Sequence, residues 1–287
     1  MARVFRSLLR KRPVVITVVL VSAALGPATY PASSSAATGA SRAMWVWKWD
    51  QNRALISFAQ SHGVGRLFVW TWPGFSTTQA SRYSDLLKRA SAAGIAVDAL
   101  SGDPSWVNNP GQAMAWAREV VSFHLFAGLH IDVEPYALAS WNTDRSGTIT
   151  NYLSMLSQVK SAAGSYALEA DIPFWFNTIP WGGSSLDVAV FGTVDAATLM
   201  TYRNVAAGSD GIIALGQAEF NDGVALGKRV RLAVETNPES PAKVTFYNTS
   251  VTYMDSQLSQ VDAAYAASPL YSGIAIDDYL GYRKLPS

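Results

Sequence analysis

Gly128-Leu-His-Ile-Asp-Val-Glu134 is the stretch from which the rest of the chain can be read. Its residues alternate in character: Leu129, Ile131 and Val133 on one side, His130, Asp132 and Glu134 on the other. Successive side chains of a strand point to opposite faces, so the spacing predicts a strand with one apolar face for packing against helices and one ionisable face. Three ionisable groups on an inward face are costly unless they pair or perform chemistry. A closed parallel barrel gives them a place, because alternate residues of every strand line its interior and its sites form at the C-terminal rim. Pro135 ends the run and leaves Glu134 at that rim. A buried ion-pair ladder that fixes strand register is the purely structural alternative.

The flanking sequence repeats the pattern. Short apolar, β-branched or aromatic runs at 43–49, 65–72, 95–100, 128–134, 166–172, 196–202, 230–235 and 273–279 read as strands. Helical periodicity fills 51–61, 78–93, 110–123, 148–163, 184–191, 210–226 and 251–267. Pro110 stands at a first-turn position, and Gly63, Gly94 and Gly164 follow helix ends. Eight strands alternating with helices predict a single (β/α)8 TIM barrel, α/β in class, over residues 42–287. The last strand lies so close to Ser287 that a full eighth helix does not fit. A doubly wound open sheet is disfavoured, because no Gly-x-Gly-x-x-Gly turn follows the first strand.

Composition narrows the chemistry. Lys and Arg total 22 and Asp and Glu 21, but Arg3, Arg6, Arg10, Lys11 and Arg12 fall in residues 1–37, which hold no acidic residue. The remainder therefore carries 17 basic and 21 acidic residues, a net of −4 that lacks the basic face a nucleic-acid binder needs. There is no Cys, which excludes disulfides, thiolate metal sites and a cysteine nucleophile. The basic start, the apolar run 14–25 and the small residues Ser35-Ala36-Ala37 read as a secretory signal peptide over 1–37, with a flexible lead-in at 38–41. Spanning a bilayer takes about 20 apolar residues, so the expectation is a secreted monomer with no membrane anchor after cleavage.

Polar residues collect at the same end of other predicted strands. Glu169 and Asp171 alternate with apolar residues on the fifth, and Met200 and Tyr202 share a face on the sixth, with Arg203 just beyond. Glu235 ends the seventh, and Asp277 and Tyr279 alternate with Ile274 and Ile276 on the eighth. Glu169 and Arg203 could also be no more than a salt bridge. Most of the ten Trp fall near strand ends: Trp47 on the first, Trp70 and Trp72 on the second, Trp175 beyond the fifth. Indoles stack on the C–H faces of sugars, and interleaved carboxylates bind hydroxyls, so these residues point to a polysaccharide or glycoconjugate. Candidate substrate contacts are thus Trp47, Trp70, Trp72, His130, Asp171, Trp175, Arg203, Asp277 and Tyr279.

The segment ending at Glu134 resembles the strand-four motif of glycoside hydrolase family 18, the chitinase-like barrels, which reads Asp-x-x-Asp-x-Asp-x-Glu. Ala127 and His130 occupy the first two Asp positions here, and Asp132 and Glu134 match the rest. Leu199-Met-Thr-Tyr202 is similar to that family's Met-x-Tyr segment. The resemblance implies that Glu134 protonates the glycosidic oxygen, Asp132 orients the substrate's acetamido group and Tyr202 supports a cyclised intermediate. Glu134 before Pro135, with Glu235 ending strand seven, is also similar to the retaining glycosidase clan that places acid/base and nucleophile on strands four and seven. Both resemblances imply a glycoside hydrolase that needs no cofactor or metal, with Glu134 as proton donor. A catalytically silent sugar-binding barrel and a metal-dependent phosphodiesterase built on His130, Asp132 and Glu134 are the alternatives.

Overall fold

The computed structural model describes residues 41–287, so the expected signal peptide and residues 38–40 of the lead-in lie outside the described residues. Eight barrel strands follow in order: β1 (Arg42–Val46), β2 (Val64–Trp70), β3 (Ala96–Ser101), β4 (Gly128–Ile131), β5 (Leu168–Pro173), β6 (Ala196–Met200), β7 (Arg229–Glu235) and β8 (Tyr271–Asp277). Each pairs in parallel with its neighbours in sequence, and β8 pairs with β1, so the sheet closes. The helices between them are α1 (Asn52–Ser61), α2 (Ala80–Ala92), α3 (Pro110–Phe123), α4 (Arg145–Ala163), α5 (Leu186–Phe191), α6 (Ile212–Ala225) and α7 (Val251–Tyr265). A single turn, α8 (Tyr279–Tyr282), stands where the eighth helix belongs. The protein is the expected single (β/α)8 barrel, with a two-residue hairpin and short helical turns in its rim loops.

Local chemistry sets the element ends. Pro110 opens α3, Asp144 caps α4 by accepting from the Gly147 amide at 3.0 Å, and Ser250 caps α7 through the Tyr253 amide at 3.1 Å. Gly94 and Gly164 leave α2 and α4 with φ of 71° and 59°, a conformation that costs residues with a Cβ about 1–2 kcal/mol. Several strands stop short of the sequence reading: β1 at Val46, β4 at Ile131, β6 at Met200 and β8 at Asp277. Register explains the fourth. Its pairing with β5 ends at Ile131↔Ala170, beyond which Asp132 and Glu134 continue in the rim loop.

Two cores follow from the alternation. Leu129, Ile131 and Val133 face outward into the large core between barrel and helices. The inner core is small: Ala43, Trp45, Phe68, Leu100, Ala233 and Ala275, with Trp47, Trp70 and Tyr202 against it. Below and among these lie buried charges. Glu169 accepts from Thr198 at 2.5 Å and pairs with Arg231 at 3.4 Å, while Arg66 pairs with Asp98 at 2.5 Å. Glu169 therefore does not pair with Arg203, whose guanidinium lies on Asp210 at 2.7 Å. Register sends Arg231 into the barrel beside Glu169, whereas Arg203 follows the last strand residue and leans over the loop.

Candidate active site

The floor of the site is a closed polar cluster. His130 is fully buried, its ring stacked on Phe68 with centroids 3.7 Å apart. Its Nε2 lies 2.8 Å from both Asp171 oxygens, and Trp45 Nε1 donates to Asp171 Oδ2 at 3.2 Å. Burial lowers the His130 pKa, but the charge and hydrogen bond of Asp171, with the charges of Glu169 and Asp98, together outweigh it and raise it, while burial raises the pKa of Asp171 in turn. Both residues were expected to touch substrate. The correction is that they lie beneath the rim, His130 at 0% and Asp171 at 3% exposure, bonded to each other and to Trp45.

The mouth itself is built by loop residues just past the strand ends. Gly102 after β3 passes so close to β4 that a Cβ there would lie 1.7 Å from the Asp132 carbonyl oxygen, so only glycine permits this approach. Asp132 is thereby held inward. Burial first, then the charges of Asp171, Glu134 and Asp277, push its pKa well above the usual carboxylate range. Glu134 is half-buried, and Pro135 starts a 3-10 turn that brings Tyr136 back over it. The Tyr136 hydroxyl donates to Glu134 Oε1 at 2.5 Å. That phenol is fixed by Trp175 and Trp141, with ring centroids 5.2 and 6.4 Å away. Sequence reasoning passed over Tyr136; the proline-initiated turn was the available signal.

Glu235 and Asp277 are direct neighbours in the β7–β8 register. Oε1 of Glu235 accepts from the Thr236 amide at 2.7 Å, the Asn237 amide at 2.6 Å and Asn237 Nδ2 at 3.0 Å. Burial outweighs these donors, with Asp278 adding repulsion, and raises its pKa to about 7. Asp277 accepts from Trp47 Nε1 at 3.1 Å and from the Tyr202 hydroxyl at 3.2 Å. Burial and the nearby Glu235 raise its pKa well above the usual carboxylate range. Trp47 and Trp70, both half-buried, stand with ring centroids 5.5 Å apart on the β1–β2 side.

Asp132, Glu134, Glu235, Asp277, Tyr202, Trp47 and Trp70 thus share the inner face or the rim directly above it. Trp175 flanks this group through Tyr136, and Arg203 borders it, lying over Phe174 at 5.4 Å while donating to the Tyr202 carbonyl at 2.7 Å. Two expected contacts turn away. Tyr279 is 1% exposed and packs against Phe58 of α1, because β8 ends at Asp277 and Asp278 caps α8, so alternation no longer applies. Trp72 lies on the outer core beside Tyr83, because β2 ends at Trp70. His130 is committed to Asp171, and among the described residues no group of three His, Asp or Glu is arranged to hold a metal ion.

No family model matches the chain, and no curated protein matches it in sequence. Solved structures match in fold. A chitinase from Bacteroides thetaiotaomicron superposes with a TM-score of 0.58 at 10% identity, over 84% of this chain and 90% of that one. The Bacillus cereus spore cortex-lytic enzyme SleL gives 0.51 at 9% identity, over 75% of this chain and 57% of that one. A putative deoxyribose-phosphate aldolase from Toxoplasma gondii gives 0.55 at 12% identity, over 85% and 91%. The chain shares the (β/α)8 barrel fold of these proteins, two glycoside-cleaving enzymes and an aldolase among them. The aldolase match means that the fold alone does not choose the chemistry.

Proposed function

We propose that the chain is a secreted, monomeric glycoside hydrolase that cleaves a polysaccharide or glycoconjugate. The observation that carries this reading is the meeting of Glu134, Asp132, Glu235 and Asp277 with the indoles of Trp47 and Trp70 at one barrel mouth. In this reading Glu134 gives its proton to the glycosidic oxygen as the bond to the anomeric carbon breaks. Glu235 in its carboxylate form attacks that carbon from the opposite face, giving a covalent glycosyl ester. Glu134, now a carboxylate, takes a proton from water, which displaces Glu235 and regenerates both groups. Trp47 and Tyr202 hold Asp277 beside Glu235, and the Asn237 and Thr236 donors fix Glu235 Oε1. The likeness to a chitinase and a cortex-lytic enzyme supports sugar chemistry at this rim without identifying the sugar.

A panel of polysaccharides assayed with wild type and Glu134→Gln tests the reading. Loss of a general acid lowers the rate by about 10²–10⁴ while melting temperature stays near wild type. Wild type that binds oligosaccharide but turns over none of the panel would favour the silent sugar-binding barrel. Secretion is tested separately, by N-terminal sequencing of protein recovered from the medium, with a start near residue 38 expected.

A further inference from the structure

Among the described residues, the charges that act on the carboxyls of the mouth are themselves carboxyls. The charges acting on Asp132 are those of Asp171, Glu134 and Asp277, and those acting on Asp277 are Glu235, Asp278 and Asp171, all negative. The nearest imidazole, His130, is committed to Asp171 one layer below. Arg203 at the rim is committed to Asp210, which Lys243 also holds at 2.6 Å. Asp132 Oδ1 is buried and has no hydrogen-bond partner. Buried polar atoms in native proteins are nearly always satisfied, so this unpartnered oxygen, beside the charges of Glu134 and Asp277, is where a donor brought by a ligand would be satisfied. The opposite wall supplies the indoles of Trp47 and Trp70, whose faces attract cations as well as sugar C–H groups.

From this arrangement we infer that the sugar taken here carries a cationic nitrogen: a glycan of hexosamine units with free 2-amino groups, in preference to an N-acetylated or neutral one. This rests on the glycosidase reading and names its substrate class. An ammonium group brings three donors, one of them for Asp132 Oδ1, which has none, where an acetamido group brings one N–H and a methyl. Burial and the neighbouring negative charges raise the pKa of Asp132 and of Asp277 and so favour their proton forms. A cation between them reverses that balance, so binding releases protons to the solvent. The chemistry agrees. A free-amine sugar has no acetamido oxygen with which to attack its own anomeric carbon, so attack falls to a protein carboxylate or to water that a carboxylate activates, and Glu235 stands beside Asp277.

The test is calorimetric titration of wild type and Glu134→Gln with pentamers of glucosamine and of galactosamine, each in free-amine and N-acetylated form. The free-amine form of one sugar is expected to bind about tenfold or more tightly than its acetylated counterpart. Its affinity should fall between about 50 and about 500 mM salt as charges are screened. The binding heat should vary with the ionisation enthalpy of the buffer, reporting proton release. Asp132→Asn and Asp277→Asn should each narrow the preference, read as a ratio of two ligands within one variant. Equal or tighter binding of the acetylated pentamers, or no binding of either free-amine pentamer, overturns the inference. Free-amine binding with no cleavage by wild type would keep the inference and remove the glycosidase reading. Cleavage of a neutral glycan with no amine preference would do the reverse.

Discussion

Glu219 of α6 is completely buried on the outer side of the barrel, where its Oε1 accepts from the Asn177 amide at 3.1 Å. Its charged neighbours are Asp187 of α5, also fully buried, and Asp222. Burial pushes the Glu219 pKa from 4.5 to about 9, with the amides of Asn177 and Phe176 opposing and the two aspartates adding to the rise. The folded protein therefore holds a proton here that the unfolded chain releases above its ordinary carboxyl pKa. Stability from this group is fully present below pH 4.5 and is lost as pH rises toward about 9. The slope is about 1.4 kcal/mol per pH unit within that window. For a body of this size that is about 3–6 °C of melting temperature per pH unit. Glu219→Gln keeps an acceptor for Asn177 and removes the titration. Melting curves of both proteins between pH 5 and 9 should start within about 1 kcal/mol of each other, typical for a near-isosteric change. They should then diverge, with the variant more stable by roughly 3–4 kcal/mol near pH 8. Parallel curves across this range would refute the argument that Glu219 folds as a neutral acid.

Three further outcomes follow from the site. Because a nucleophilic Glu235 must be ionised and its pKa is raised to about 7, kcat/KM should rise with pH through about 7; Glu235→Ala should lose that limb with nearly all activity, and azide should restore turnover as a glycosyl azide of inverted configuration. Tyr136→Phe keeps the ring among Trp175 and Trp141 but removes the donor to Glu134, so kcat should drop about tenfold on oligosaccharides while KM stays; aryl glycosides whose leaving groups need no proton should be spared. Asp171→Asn leaves His130 without its buried partner and should cost about 3–5 kcal/mol in chemical denaturation; a loss below 1 kcal/mol would mean that the pair is not ionised.

Much of this protein is legible in local pattern alone. The period-2 alternation of 128–134, with seven other short apolar runs separated by helical segments, identifies the barrel and places Glu134, Glu235 and Asp277 at one rim, because pleating sends alternate side chains to opposite faces whatever the neighbours. The same rule puts Leu129, Ile131 and Val133 in the outer core, where the structure has them. Depth along the barrel axis and the choice of partner are different quantities. They depend on register between strands far apart in sequence, which no local period encodes. Only tertiary structure seats His130 under the mouth on Asp171, gives Glu169 to Arg231 in place of Arg203, and makes Asp277 the neighbour of Glu235. Only the observed strand ends turn Trp72 and Tyr279 outward, since alternation stops where the ladder stops. The turn that lays Tyr136 on Glu134 needs both the local push of Pro135 and the aromatic wall from the loop after β5, and that wall exists only once the barrel has closed.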